Sequence, residues 1–183
     1  SPTVVMSETV KYKDLVKTKG LYYQKSSDVP FTGTVTGIVG GKINWRTVTG
    51  IVEGKIKKGK QDGPWVYYHS NGQIYDKGTF KDGKEEGPWV GYYDNGKLRG
   101  KGTYKDGKLD GPRVYYYENG QLKSKGNYKD GKRDGPWVIY WENGQLRNKG
   151  TYKYGKAEGP WVTVSSDGTV NKNWTGTFKN GRK

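Results

Sequence analysis

Residues 62–84 read DGPWVYYHSNGQIYDKGTFKDGK, an aromatic run enclosed by glycine-containing turns. The chain repeats this phrase with a period of 24 residues. The period is marked by glycines that are each followed by proline, namely Gly63, Gly87, Gly111, Gly135 and Gly159. Asn-Gly and Asp-Gly recur in the copies, and Asn-Gly between alternating runs is the strongest short-range signal of a β-hairpin. The sequence therefore predicts a repeat fold in which each hairpin unit packs on its neighbours.

The Asn-Gly dipeptide predicts a two-residue type I′ loop, because that turn needs positive φ at both central residues. A loop at residues 71–72 sets these cross-strand pairs: Trp65 with Gly78, Val66 with Lys77, Tyr67 with Asp76, Tyr68 with Tyr75, and His69 with Ile74. In this register Gly78 leaves room for the Trp65 indole. Each Gly-Pro is expected to open a strand, because proline is tolerated at the first position of a strand.

Alternation of side chains along the strands predicts two different faces. One face carries the tryptophan column and the Leu and Phe/Tyr columns, and the other carries valines with most of the lysines. The expected fold class is all-β: an elongated antiparallel β-meander of hairpins, forming a twisted single sheet with a trough-like aromatic face.

The composition agrees with short strands and tight turns. Only 31% of the 183 residues are hydrophobic, but 14% are aromatic, and 30 glycines and 7 prolines interrupt the chain. The absence of cysteine excludes disulfides, thiolate catalysis and cysteine-based zinc sites. The net charge is +15, spread along the chain, and it favours anionic partners. No apolar stretch approaches the roughly 20 residues of a membrane-spanning helix.

The pattern G-P-W-V-x-Y-Y-x-N-G-x-L-x-x-K-G-x-Y-K-D-G-K resembles the MORN repeat (membrane occupation and recognition nexus), and most of all its bacterial variant, which is often linked to antitoxins. The resemblance covers residues 31–183. It implies binding and scaffolding, in some members at membranes, and no catalytic residues. The expected organisation is a capping segment at 1–30, a degenerate stretch at 31–62, regular repeats at 63–158 and a variant last repeat at 159–183. The pattern is broken at Arg113, at Tyr154, after Val170 and through residues 34–50.

Catalysis is not expected. The only histidine, His69, falls in a column that other copies fill with aromatic residues or serine, and we interpret it as a surface aromatic substitute. The chain has no nucleophile elbow, and its Gly-Lys pairs are turns without the strand-to-helix context of a phosphate loop. No cofactor and no metal are expected.

The expected function is a non-enzymatic scaffold that binds another protein, with antitoxin-like sequestration as its narrower form. Positions that differ between copies of a fixed scaffold are where specificity for a partner could lie, and a large aromatic patch is unusual without one. The candidate partner-binding residues are Tyr67, His69, Tyr93, Tyr115, Tyr117 and Trp141.

The alternative is peripheral binding of an anionic lipid surface, a polysaccharide or another polyanion. The candidate residues are Arg99, Lys101, Lys105, Lys123, Lys125, Lys129, Arg147, Lys149 and Lys153. Equivalent lysines lie roughly 10 Å apart and repel by only about 0.4 kcal/mol in water, so they need no partner to be tolerated. Acidic residues at positions 86, 110, 134 and 158 are expected beside them in a salt-bridged face. Nucleic acid is a less favoured partner, because the aromatics and cations are expected on opposite faces.

The stretch from Leu15 to Gly33 resembles the usual beginning of such arrays in exported bacterial proteins. Together with the start at Ser1, this favours an exported protein of the periplasm or cell surface, with the cytoplasm as the alternative.

Overall fold

The computed structural model describes residues 8–38, 41–43, 46–48 and 51–183. Parts of the predicted capping segment and of the degenerate stretch, residues 1–7, 39–40, 44–45 and 49–50, lie outside the described residues. The strands are β1 (Thr9–Lys11), β2 (Leu15–Thr18), β3 (Leu21–Gln24), β4 (Gly33–Ile38), β5 (Gly41–Ile43), β6 (Arg46–Val48), β7 (Ile51–Lys57), β8 (Lys60–Tyr68), β9 (Ile74–Lys81), β10 (Lys84–Tyr92), β11 (Leu98–Lys105), β12 (Lys108–Tyr116), β13 (Leu122–Lys129), β14 (Lys132–Tyr140), β15 (Leu146–Lys153), β16 (Lys156–Thr163) and β17 (Gly176–Phe178). A 3-10 turn, Tyr12–Asp14, precedes β2. The predicted all-β fold class of antiparallel hairpins is confirmed.

The chain divides into two compact units, one containing residues 1–86 and 94–96 and the other residues 87–93 and 97–183. In the first unit, β1 pairs in parallel with β4, and β4, β7, β8 and β9 follow in antiparallel order. Separate hairpins join β2 to β3 and β5 to β6. In the second unit, β10 from Gly87 onward and β11 to β17 form an antiparallel meander in chain order.

The two recurring dipeptides make two different turns. At Asp82-Gly83 both residues have positive φ, 51° and 83°, which is the type I′ geometry of a two-residue hairpin loop. At the Asn-Gly position only Gly72 has positive φ, and its N–H donates to the His69 carbonyl at 3.0 Å. That is a type I turn followed by a left-handed glycine, so the type I′ prediction for Asn-Gly is wrong.

The turn at Asn71-Gly72 is one residue longer than predicted, and this changes the pairing of the residues next to it. Trp65 pairs with Gly78 and Tyr67 with Asp76, as predicted, but Tyr68 then pairs with Ile74. Tyr75 is thus an extra residue in β9, a bulge, and its predicted pairing with Tyr68 and that of His69 with Ile74 are wrong. The same extra residue follows in β11, β13 and β15.

The prolines do not open strands. Pro64 lies within β8, after Gly63 at a φ of +80°, and this pair belongs to a second bulge. Residues 62–64 lie across from the single residue Lys55, because Gly54 pairs with Trp65 and Ile56 with Gln61. Proline is tolerated inside the strand here because a bulge has already interrupted the ladder.

The tryptophans pack over the glycine of the preceding strand. Trp65 pairs with Gly54 on one side and with Gly78 on the other, and its indole lies against the position that a side chain at Gly54 would occupy. Its Nε1 donates to the Lys55 carbonyl at 2.9 Å, a carbonyl that faces Pro64, which has no N–H to offer. The predicted role of Gly78 as the host of this indole is therefore corrected.

The same arrangement builds both cores. In the first unit Trp65 and Phe80 are almost fully buried and meet edge to face, with ring centroids 5.9 Å apart. In the second unit the buried Trp137 and Trp161 lie against Gly126 and Gly150. Their Nε1 atoms donate to carbonyls ten residues earlier, at 3.0 and 3.1 Å.

Candidate functional site

Three candidate partner-binding residues at equivalent positions of successive repeats form hydrogen bonds with the next repeat. The Tyr93 hydroxyl donates to the Tyr116 carbonyl at 2.7 Å, and the Tyr117 hydroxyl donates to the Tyr140 carbonyl at 2.8 Å. The Trp141 Nε1 donates to the equivalent carbonyl of Val164 at 2.9 Å. The tyrosine and tryptophan at this position therefore share one structural task.

The remaining residues of that set are held by other contacts. Tyr67 is fully buried, where its hydroxyl accepts from Gln61 Nε2 at 3.1 Å, so it presents no surface to a partner. Tyr115 is half-buried and lies under the Arg113 guanidinium, 4.4 Å from the ring centroid. The His69 ring meets Tyr75 edge to face at 5.0 Å.

The candidate basic residues do not form one face. At the β11 bulge, Arg99 turns toward Gly91, and its guanidinium occupies the space that a side chain there would need. Gly91 is buried and two residues from Trp89, so alternation puts it on the tryptophan side. The predicted placement of Arg99 with the lysines is therefore wrong.

Two further bulged residues lie over aromatic rings. Lys123 Nζ is 5.2 Å from the Tyr117 ring centroid, and the Arg147 guanidinium is 4.3 Å from that of Trp141. Such contacts are cation–π interactions. Cations and aromatics thus share one side at these bulges, contrary to the predicted separation.

Lys105, Lys129 and Lys153 end their strands just before the two-residue turns. They pair with Lys108, Lys132 and Lys156, respectively, across the hairpins. Three further lysines keep their predicted positions opposite valine: Lys101 pairs with Val114, Lys125 with both Val114 and Val138, and Lys149 with both Val138 and Val162. We name these three lysines and three valines the lysine–valine row.

Three of the four acidic residues expected to neutralise the row, namely Asp110, Asp134 and Glu158, accept hydrogen bonds from backbone N–H groups. Asp110 and Asp134 each accept, at 3.2 Å, from the N–H of the first residue of the next two-residue turn, which is Asp130 or Tyr154. Glu158 does the same with Asn180 at 2.9 Å. These bonds link consecutive repeats through the turns, so these three carboxylates do not form the ion pairs predicted with the lysines.

A groove opens on the side of the lysine–valine row. Its volume is about 790 Å³, and valines and prolines of three successive repeats make up most of its apolar lining. Those lining residues are Pro112, Val114, Pro136, Val138, Pro160 and Val162. Lys125 and Lys149 also line it. The sequence predicted the valines and lysines on this side of the sheet. It did not predict that the valines and prolines form a groove, because the candidate partner-binding residues were chosen from the aromatic side.

The shifted pKa values do not suggest acid–base chemistry. Burial raises the pKa of Tyr68, and so does its hydrogen bond to Glu53. Burial also raises the pKa of Tyr93. Hydrogen bonds from the Thr169 backbone and side chain lower the pKa of Asp167. All three shifts move the pKa further from neutral pH, so none of these groups is suited to act as a general acid or base there.

The part of the chain that the structure describes has neither a cluster of metal ligands nor a membrane-spanning helix. No group of three or more His, Cys, Asp or Glu side chains there could hold a metal ion. No helix in that part has the length and apolar character needed to cross a membrane.

This chain is similar to a protein family and to part of a solved structure. No curated protein matches the chain significantly. Among solved structures, a crystal structure of a GtfA/B complex bound to UDP and GlcNAc matches with 12% identity and a TM-score of 0.19. The match covers 66% of this chain and 21% of that one, and its TM-score is too low to support an argument. The family described as MORN repeat variant matches residues 61–82, 85–106, 109–130 and 133–154. The chain therefore carries four tandem MORN repeats of the variant type.

Proposed function

We propose that this chain is a non-enzymatic repeat scaffold that binds another protein. MORN repeats are generally associated with protein or membrane-lipid binding. The observation that carries the proposal is the groove of about 790 Å³, because valines and prolines of successive repeats line it. Exposed apolar grooves of this kind mark surfaces that interact with proteins, membranes or ligands.

The form of the groove favours a macromolecule over a small ligand. Small-molecule sites are enclosed and hold a few convergent polar groups. Here the lining repeats from strand to strand, with Val114, Val138 and Val162 at equivalent positions. A lining with translational repetition suits a linear partner that contacts several repeats at once. Sequestration of a toxic partner is the narrower form of this proposal, and its support is the sequence resemblance alone.

A specific observation favours a second candidate, peripheral binding of an anionic lipid or polysaccharide. Lys101, Lys125 and Lys149 are exposed, and their ammonium groups form no hydrogen bond or ion pair with the residues that the structure describes. Anionic surfaces attract such groups by about 1 kcal/mol per charge near the membrane.

Site-specific photocrosslinking in the source cells tests the proposal. A photoreactive amino acid at Val162 reports on the groove, since this residue is 38% exposed and lines it. The same group at Tyr154, 63% exposed and outside the lining, is the matched control. A discrete protein adduct from Val162 and none from Tyr154 is expected. Equal labelling at both positions, or no protein adduct from Val162, would contradict the proposal, and labelling of lipid alone would favour the second candidate.

A further inference from the structure

The lysine–valine row has a regular chemical pattern. Cross-strand pairing puts Lys101, Val114, Lys125, Val138, Lys149 and Val162 side by side on consecutive strands. A ligand that crosses the strands along this row therefore meets a cation and an apolar side chain in alternation. The pattern comes from β11 to β16, all within the second unit.

The cations of the row are available to a ligand. Asp110 and Asp134, two of the carboxylates predicted beside these lysines, instead accept backbone N–H groups of the turns at 3.2 Å. Lys101, Lys125 and Lys149 are exposed and form no ion pair with any residue in the described ranges. The row is thus a line of three unpaired positive charges on an apolar floor, in a chain whose net charge is +15.

The spacing of the charges limits the conformation of a complementary chain. Neighbouring strands lie about 4.8 Å apart, so successive lysines of the row lie about 9.6 Å apart. An extended β-strand returns a side chain to the same side about every 6.6 Å, which does not match. A polyproline II helix advances about 3.1 Å per residue with three residues per turn, so equivalent side chains recur about every 9.3 Å.

We infer that the lysine–valine row binds an acidic segment of the partner protein in the polyproline II conformation, with a carboxylate at every third residue. Each carboxylate meets one lysine, and the intervening apolar residues pack on Val114, Val138 and the flanking prolines of the groove. This inference rests on the proposed function and names the chemistry of the partner. A polyproline II segment suits such a site because little conformational freedom remains to be lost on binding.

Synthetic peptides test the periodicity directly. The first probe is a fluorescein-labelled peptide of four Glu-Pro-Pro units, and its control has the same composition with the four glutamates adjacent. Fluorescence anisotropy with the full chain measures both affinities. We expect the periodic peptide to bind about tenfold more tightly or better, because three exposed charge pairs each contribute modestly, and we expect this binding to weaken in high salt. Equal affinity of the two peptides would overturn the inference.

Matched variants locate the binding. Changing Lys101, Lys125 and Lys149 together to Gln is expected to lower affinity for the periodic peptide about tenfold. The same change at Lys105, Lys129 and Lys153, which removes the same charge outside the row, is expected to leave affinity within about twofold of the parent. Circular dichroism and thermal melts confirm that both variants fold. Equal loss in both variants would show that net charge alone attracts the peptide, and it would refute the site.

A vesicle experiment tests whether the row binds anionic lipid and not an acidic protein segment. If phosphatidylserine vesicles bind through Lys101, Lys125 and Lys149 while neither peptide binds, the row faces lipid and the inference is wrong. If a protein adduct forms at Val162 while the periodic peptide fails to bind, the scaffold function stands and only the inferred partner chemistry falls. The two proposals therefore fail in distinguishable ways.

Discussion

Replacing Gly126 by alanine tests the packing on which the core of the second unit depends. Gly126 pairs with Trp137 across β13 and β14, and a Cβ atom at Gly126 would overlap the indole of that tryptophan. Trp137 is only 3% exposed, and its Nε1 donates to the Asn127 carbonyl at 3.0 Å. The methyl group therefore forces either the indole or the strand to move.

The expected cost follows from what the displaced indole loses. A buried tryptophan covers roughly 200 Å², and re-exposing about a third of it costs about 1.5 kcal/mol. Losing the Nε1 hydrogen bond adds about 1 kcal/mol. Alanine in place of glycine in a strand returns roughly 0.5–1 kcal/mol through the unfolded state. Gly126→Ala should therefore lower the free energy of unfolding by about 2 kcal/mol.

The chain contains its own control at the equivalent position one repeat earlier. A Cβ atom at Gly102 would meet Arg113, which stands where other repeats have tryptophan. The arginine side chain is long and half-buried, so it can swing into solvent, and Gly102→Ala should change stability by less than about 0.5 kcal/mol. Thermal unfolding followed by circular dichroism should show Gly126→Ala about 4–8 °C below the parent, with Gly102→Ala close to it.

Equal melting temperatures of Gly126→Ala and Gly102→Ala would refute the explanation that Gly126 makes room for the Trp137 indole. The explanation also fails if Gly126→Ala lowers the free energy of unfolding by the same amount in a Trp137→Ala background as in the parent chain. In that background the indole is gone, so a double-mutant cycle should show a coupling of about 1–2 kcal/mol between the two positions. Absence of coupling would mean that the glycine is needed for its backbone and not for the indole.

Three further results are expected. Trp141→Tyr should preserve stability, because tyrosine forms the equivalent hydrogen bond at positions 93 and 117. Trp141→Phe should lower the free energy of unfolding by about 1 kcal/mol, because the hydrogen bond to the Val164 carbonyl is lost. Urea unfolding measures both changes. Tyr154→Asn should raise stability by about 0.5–1 kcal/mol, because Tyr154 has a φ of +51° and asparagine tolerates that region better; a lower melting temperature would contradict this. NMR titration should give Asp167 a pKa below the ordinary aspartate value, since Thr169 donates to its carboxylate. A lowered folded-state pKa means that this contribution to stability is present above the unfolded-state pKa and is lost as the pH falls through the folded-state value; Asp167→Asn should remove that pH dependence.

The sequence predicted the parts of the fold that depend on local turn chemistry and on alternation. The 24-residue period, the hairpins and the pairing of Trp65 with Gly78 and of Val66 with Lys77 all follow from where the glycines lie. Pairs close to a turn depend on the length of the loop. A type I turn with a left-handed glycine holds one residue more than a type I′ turn, so Tyr75 became a bulge.

The site was harder to predict, because its decisive contacts join residues that are far apart in sequence. Asp110 accepts a hydrogen bond from the backbone N–H of Asp130, twenty residues later. Nothing in the spacing of charges reveals that bond. One signal was readable: Pro64 beside Trp65 leaves a carbonyl of the neighbouring strand without a ladder donor, and the indole N–H supplies it.

Three variable positions of the repeats have a structural role, because each donates a hydrogen bond to the backbone of the next repeat. Trp141 differs in chemistry from Tyr93 and Tyr117 but donates to the equivalent backbone carbonyl, so this substitution exchanges one donor for another. The valines and lysines of the row are shared between copies, and most of them line the groove. A surface made from shared positions has a translational period, and a partner matched to it needs the same period. This is why we expect recognition to depend on the spacing of the partner's charges more than on any single residue of the scaffold.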